Sequence, residues 1–368
     1  MSNQEGTSLQ GVSEQNNADS SIELSTGESP LLIARDIHKS YRTSRRHNTD
    51  VKALRGVNIE LSVGKVVALV GESGSGKSTI ARILAGQEAP TSGDILFDGQ
   101  VANFRGSKNY RDYKSKVQMV FQDPFASLNP IHTIAYHLSR PLAIHGSEKP
   151  SHEAMEELCE MVRLVPPSRF LSKYPHELSG GQRQRAAIAR ALAARPRVLL
   201  ADEPVSMLDV SIRLEVLNLL DSLRSKFSLA MLYITHDIAS ARYFADEILV
   251  MYKGVIVEKG GAEEVTQSPK HPYTKLLIDS SPDPDDLGSN LRSARVIDAR
   301  VPVSSGTPDQ GCRFAPRCPL AMDRCQREDP SLLSISSSRR IACWAVTTSE
   351  SGEDSVLAEG GAGGSFRG

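Results

Sequence analysis

No stretch of the 368 residues approaches the roughly eighteen consecutive apolar residues that a membrane-crossing helix requires. The amino terminus, MSNQEGTSLQGVSEQNNADSS, lacks both the basic start and the apolar centre of a secretory signal. Charge of neither sign is in excess: 43 Lys and Arg face 44 Asp and Glu, for a formal net charge of −1. Nucleic-acid-binding domains carry a basic surplus, so this balance argues against that class. Internal repeats and sustained heptads are missing too. Cysteine is scarce, five in all, yet four of them lie beyond residue 311. In a chain without a signal sequence, such clustering points to thiol chemistry or metal binding rather than disulfides, and to the cytosol.

What is present reads as an α/β body between two polar tails. Residues 1–29 and 347–368 have few large apolar residues and are expected to be disordered. Within the body, KVVALV (65–70), RVLLAD (197–202) and LAMLYIT (229–235) are short apolar runs that fit buried parallel strands. Helix-period segments alternate with them. KSTIARILAG closes on Gly86 as a cap, GGQRQRAAIARALAARP is stopped by Pro196, and RLEVLNLLDSLRSKF is a third helix. Residues from 123 to about 190 are expected to form an inserted helical subdomain of a nucleotide-binding domain spanning 30–268. A small cysteine-bearing module follows over 269–346. The basic run RTSRRH (42–47) reads as a solvated loop, and VIDARVPVSSGTPDQ as a strand and connector.

GESGSGKST, directly after a strand and before a helix, matches the phosphate loop G-x-x-x-x-G-K-[ST]. It comprises Gly71, Glu72, Ser73, Gly74, Ser75, Gly76, Lys77, Ser78 and Thr79. Glycines let backbone N–H groups wrap phosphates, Lys77 reaches the β- and γ-phosphates, and the Ser78 hydroxyl can ligate Mg²⁺. The rival dinucleotide fingerprint would need a third glycine, which GSGKST lacks. VLLADEP places Asp202 and Glu203 at a strand end. The first acid suits Mg²⁺. Strand alternation turns Glu203 elsewhere, free to polarise an attacking water. A carboxylate so placed favours hydrolysis of ATP over kinase chemistry.

A second anion-binding helix start, LSGGQ, lies about a hundred residues later, with Ser179, Gly180, Gly181 and Gln182. It resembles the signature sequence of ABC-type ATPases, and other motifs agree. VFQDP supplies a Q-loop glutamine, Gln122; SMLD resembles the D-loop with Asp209, Met207 standing where alanine is usual; YITHD supplies a switch histidine, His236. KSYR puts Tyr41 where the family stacks a ring on adenine. The resemblance, over about residues 31–345, implies a P-loop ABC ATPase fold whose domains pair head to tail. The signature of one then faces the phosphate loop of the other. It also implies that Gln122 contacts Mg²⁺ or the water and that His236 bonds the γ-phosphate.

DEPVSMLDVS, SPKHPYTKLL and GCRFAPRCPLAMDRC…ACW resemble ATP-binding subunits of oligopeptide/dipeptide importers, a branch that also serves oligosaccharides and nickel. The resemblance implies a homologous ATPase partner, as a heterodimer or alternatively a homodimer. It further implies two membrane permeases, an extracellular solute-binding protein and a peripheral place on the cytoplasmic face of the plasma membrane. Peptides are the expected cargo. A soluble ABC ATPase of translation or DNA repair is the rival; a single ATPase unit without coiled coil argues against it. Cys312, Cys318, Cys325 and Cys343 follow C-x5-C-x6-C-x17-C, wider than ordinary zinc knuckles. Four thiolates could hold a [4Fe–4S] cluster, as the resemblance implies for some relatives, or could be reduced structural cysteines packed with Phe314 and Trp344. Cys159, in ELCEMV, reads as a small buried hydrophobe.

Overall fold

The computed structural model of the chain describes residues 29–42, 50–145, 150–280 and 310–346. The expectations for the two tails (1–28 and 347–368), the basic run beyond Arg42 and the connector 296–309 lie outside them.

Short apolar runs become the central sheet. The strands Val66–Val70, Val198–Asp202 and Ala230–Thr235 are buried at every residue. Burial on both faces is what a parallel sheet covered on both sides demands. Successive residues part company accordingly: Leu199 and Tyr233 enter one apolar core, while Leu200 and Ile234 enter the other. Glu247–Tyr252 runs parallel to Val66–Val70 on one flank, and Val117–Val120 runs parallel to Val198–Asp202 on the other. With Ala230–Thr235 between Val66–Val70 and Val198–Asp202, five parallel strands end at one edge. Open parallel sheets take their ligands at that edge.

Val255–Gly261 continues the sheet antiparallel, and the short strands Arg340–Ile341 and Leu333–Ser334 bring it to eight. The cysteine-bearing segment is thus hydrogen-bonded into the same sheet as the phosphate loop. A separate four-stranded antiparallel sheet is built from Leu32–Arg42, Asp50–Leu61, Ser92–Phe97 and Gln100–Val101. Its apolar face packs into the core around Leu69, Ile80 and Leu200.

The expected helices form at Lys77–Leu84, Gly180–Leu192 and Val210–Phe227. Gly86, at φ 64°, follows the first of them, past the cap at Ala85. The second stops at Leu192 and not at Pro196. Proline bars its predecessor from helical geometry, and Arg195 turns left-handed at φ 51° with its N–H on Leu192 O, so the helix ends a turn earlier. From 123 to 192 the described residues are helical or irregular, with Pro124–Ser127, Ile134–His145, His152–Met161 and Pro167–Leu171 preceding the long helix. Cys159 is fully buried there.

A buried ion pair fastens the carboxyl-terminal strands. Arg339 and Glu258 are 2% and 0% exposed; Arg339 Nε donates to Glu258 Oε1 at 3.1 Å, and the backbone N–H groups of Lys270 and His271 donate to the same carboxylate at 3.0 Å. Arg339→Met should cost about 3–5 kcal/mol in denaturant unfolding, because it strands a buried carboxylate. His271 beside it is held down to about 4 by burial. A histidine kept neutral when folded contributes stability above its unfolded value near 6.5, and that contribution fades as pH falls toward 4. Unfolding titrations from pH 7 to 4 should therefore fall more steeply for the parent than for His271→Gln, by up to about 3 kcal/mol.

Candidate functional site

The phosphate loop begins where glycine alone fits. A Cβ on Gly71 would lie 2.2 Å from Met251 O. At Gly76, φ is 109°, and this residue caps the helix Lys77–Leu84. Ser75 N–H closes a turn on Glu72 O at 3.2 Å, and Gly254 N–H donates to Ser75 O at 2.8 Å. The loop thus leans on the corner between two strands. Ser73 and Gly74 form its outer turn, and the first amides of the helix behind it lack intrahelical partners, as at any helix start. Lys77 is buried and donates to Gly71 O at 2.7 Å and Glu72 O at 2.9 Å. Burial lowers its pKa; the charges of Glu203, Asp202 and Glu72 oppose that shift.

Asp202 ends the strand Val198–Asp202 as a buried carboxylate that accepts from Ser78 Oγ at 3.2 Å. Its pKa is raised chiefly by burial and secondly opposed by that hydrogen bond, with Lys77 also lowering it. A hydroxyl and a carboxylate side by side suit Mg²⁺, which takes oxygen ligands and keeps most of its shell from outside the protein. Glu203 departs from the sequence expectation in how it turns. The strand has already ended, and Glu203 adopts φ 46° while its N–H bonds Ile234 O at 2.9 Å. A left-handed backbone, and not the pleat, aims its side chain. On its Oε2 converge Gln122 Nε2 at 2.9 Å, from beyond the strand Val117–Val120, and His236 Nδ1 at 3.3 Å, from beyond Ala230–Thr235.

Tyr41, in the strand Leu32–Arg42, donates its hydroxyl to Glu88 Oε2 at 2.9 Å and lies within hydrogen-bond reach of Thr79; Lys39 Nζ stands 5.1 Å over its ring. The ring is therefore brought to the helix side of the loop. Ser179 and Gln182 form a reciprocal cap on the helix Gly180–Leu192, with Gln182 N–H to Ser179 Oγ at 3.3 Å and Ser179 N–H to Gln182 Oε1 at 3.1 Å. A Cβ on Gly181 would meet Ile212 at 2.8 Å. Behind the turn, buried Arg183 holds Pro175 O at 2.7 Å and Leu178 O at 2.9 Å, with the Phe125 ring 3.4 Å from its guanidinium. Among the described residues no hydrogen bond or ion pair joins Ser179–Gln182 to Gly71–Thr79. Asp209, exposed at the start of Val210–Phe227, makes no side-chain cap, and Met207 before it is exposed.

The structure also brings in residues no motif announced. Tyr273 receives the Glu72 N–H at 2.9 Å, and Arg317, from the cysteine loop, grips the Glu72 carboxylate. Nothing in local spacing could have linked positions two hundred residues apart. The four carboxyl-terminal cysteines are free thiols. Burial pushes Cys318 up to about 11, and the charges of Cys343, Cys312 and Cys325 add to the rise. The donor type fits a [4Fe–4S] cluster but the arrangement does not. Among the described residues no three His, Cys, Asp or Glu side chains stand in metal-ligating arrangement, and the expectation of a cluster gains no support.

Residues 54–206 match the family described as ABC transporter, and residues 257–325 match the carboxyl-terminal region of oligopeptide/dipeptide transporters. The chain is 42% identical to the di/tripeptide transport ATP-binding protein DppF of Pseudomonas aeruginosa, over 85% of this chain and 97% of that one. It is 41% identical to the oligopeptide transport ATP-binding protein AppF of Bacillus subtilis, over 85% and 96%. Its fold is similar to a dimeric ATP-binding cassette solved in a post-hydrolysis state with ADP and phosphate, with TM-score 0.57, 30% identity and coverage of 63% of this chain and 99% of that one. By these matches the chain belongs to the ABC transporter family, in the branch that carries the oligopeptide/dipeptide-transporter carboxyl-terminal region.

Proposed function

We propose that this subunit hydrolyses ATP at a dimer interface to drive uptake of oligopeptides or dipeptides through a membrane permease. The relatives at 40–42% identity that carry transport names support this reading. The observation that carries the hydrolytic part is the Glu203 carboxylate shared by Gln122 and His236, next to Lys77 and Asp202. In this reading Gly71–Thr79 wraps the β- and γ-phosphates, and Tyr41 offers its ring to the adenine. Ser78 and Asp202 hold Mg²⁺, with Gln122 beside them; the ion when bound would offset phosphate charge. Glu203 accepts a proton from the attacking water, and His236 steadies the γ-phosphate.

Ser179–Gln182 and Asp209 then serve nucleotide held by the opposite subunit. A helix start with free amides favours the γ-phosphate. ATP can close the pair only through its higher affinity for the closed state, and ADP lacks the group that both subunits share. A homologous ATPase is the proposed partner, with two permeases and an extracellular binding protein completing the importer at the cytoplasmic face. Among the described residues no helix is long and apolar enough to cross a membrane. Residues 30–268 are proposed as the ATPase unit, with 123–190 as the part that meets the permease, and 269–346 as the module specific to the branch. No step runs through the four cysteines.

Reconstitution with permeases and binding protein tests the whole: ATP turnover should rise with peptide-loaded binding protein, and an unchanged rate would remove the transport assignment. Lys77→Ala should abolish ATP binding in equilibrium titration. Glu203→Gln should still bind ATP while turnover in the assembled complex falls about 10²- to 10⁴-fold, the range for a lost general base; near-parental turnover would refute the base assignment.

A further inference from the structure

Glu72, inside the phosphate loop, is held from three sides. Its N–H donates to Tyr273 Oη at 2.9 Å, and its C=O accepts from Lys77 Nζ at 2.9 Å. Its carboxylate is forked by Arg317, with Nη1 3.1 Å from Oε1 and 3.0 Å from Oε2, and Nη2 3.1 Å from Oε1. Arg317 closes the short turn Ala315–Arg317 between Cys312 and Cys318. That turn is anchored by Phe314, 1% exposed and 5.3 and 5.5 Å from the rings of Tyr252 and Tyr273. Tyr252 in turn ends the strand beside the loop, with its hydroxyl 3.5 Å from Arg317 Nη1.

We propose that Arg317 is a positioning residue for the nucleotide, and that the cysteine-bearing module braces the phosphate loop through it. The proposal rests on reading Gly71–Thr79 as the triphosphate site. An acid in that loop is a liability, because its charge reaches Lys77 and repels phosphate. Arg317 occupies both oxygens of the carboxylate, cancels the repulsion and leaves Lys77 to the anion. The planar fork of a guanidinium suits this task, and an ammonium does it in part. Both side chains are over one-third exposed, so the effect is modest and salt-sensitive.

The test is equilibrium titration of the full-length chain with Mg-ATP and Mg-ADP. Arg317→Ala should weaken Mg-ATP binding about three- to tenfold, and Mg-ADP less, with the gap to the parent narrowing as salt rises. Arg317→Lys should fall between, which also covers the case of an alanine variant that does not fold. Adding Glu72→Gln to Arg317→Ala should recover most of the affinity, an outcome that mere loss of packing would not produce. Parental affinity in Arg317→Ala, or a double variant no tighter than the single one, would overturn the brace. Lys77→Ala run alongside separates the two failures: if it binds ATP as the parent does, the triphosphate reading itself falls, whereas its loss of binding beside an unaffected Arg317→Ala removes only the brace.

Discussion

Everything in the site depends on parallel strands ending together. Four of them deliver Gly71, Gln122, Asp202 with Glu203, and His236 to one sheet edge, though the chain visits them across more than 160 residues. Because the strands are buried at every residue, none can leave the sheet without exposing apolar side chains. The rigidity that places Lys77, Asp202 and Glu203 is therefore purchased by hydrophobic burial elsewhere. Their charges in turn oppose the effect of burial: burial lowers the pKa of Lys77 and raises that of Asp202, and the charge of each works against the other's shift.

The carboxyl-terminal segment is less an appendage than a continuation. Its strands pair onto Val255–Gly261, its arginine Arg339 neutralises buried Glu258, and Phe314 completes an aromatic cluster with Tyr252 and Tyr273. A change in the cysteine loop thus has a short mechanical route to the nucleotide edge, through residues that have no part in the chemistry.

Much of this was legible from the chain alone. Strands such as KVVALV are uniformly apolar because both faces are covered, and the phosphate loop and acid pair follow them directly, so local patterning sufficed. The helix ends were harder: Leu192 and not Pro196 closes the signature helix, since proline constrains the residue before it and not the exact turn that yields. Glu203 was expected to turn by strand alternation, whereas a left-handed φ aims it, and such a φ is invisible in a residue that is not glycine. The pairing of Leu333–Ser334 and Arg340–Ile341 and the grip of Arg317 on Glu72 were beyond reach, because two-residue strands and long-range ion pairs leave no periodic trace.

The cap at Ser179 has a further consequence. The serine oxygen receives the Gln182 amide through a lone pair, while its own proton takes no part in that bond. One hydroxyl can thereby keep the helix start ordered and still offer its hydrogen outward. In the proposed pairing of two subunits across a triphosphate, a helix start ordered in this way would leave the entropy of association to the joining of bodies and not to their shaping.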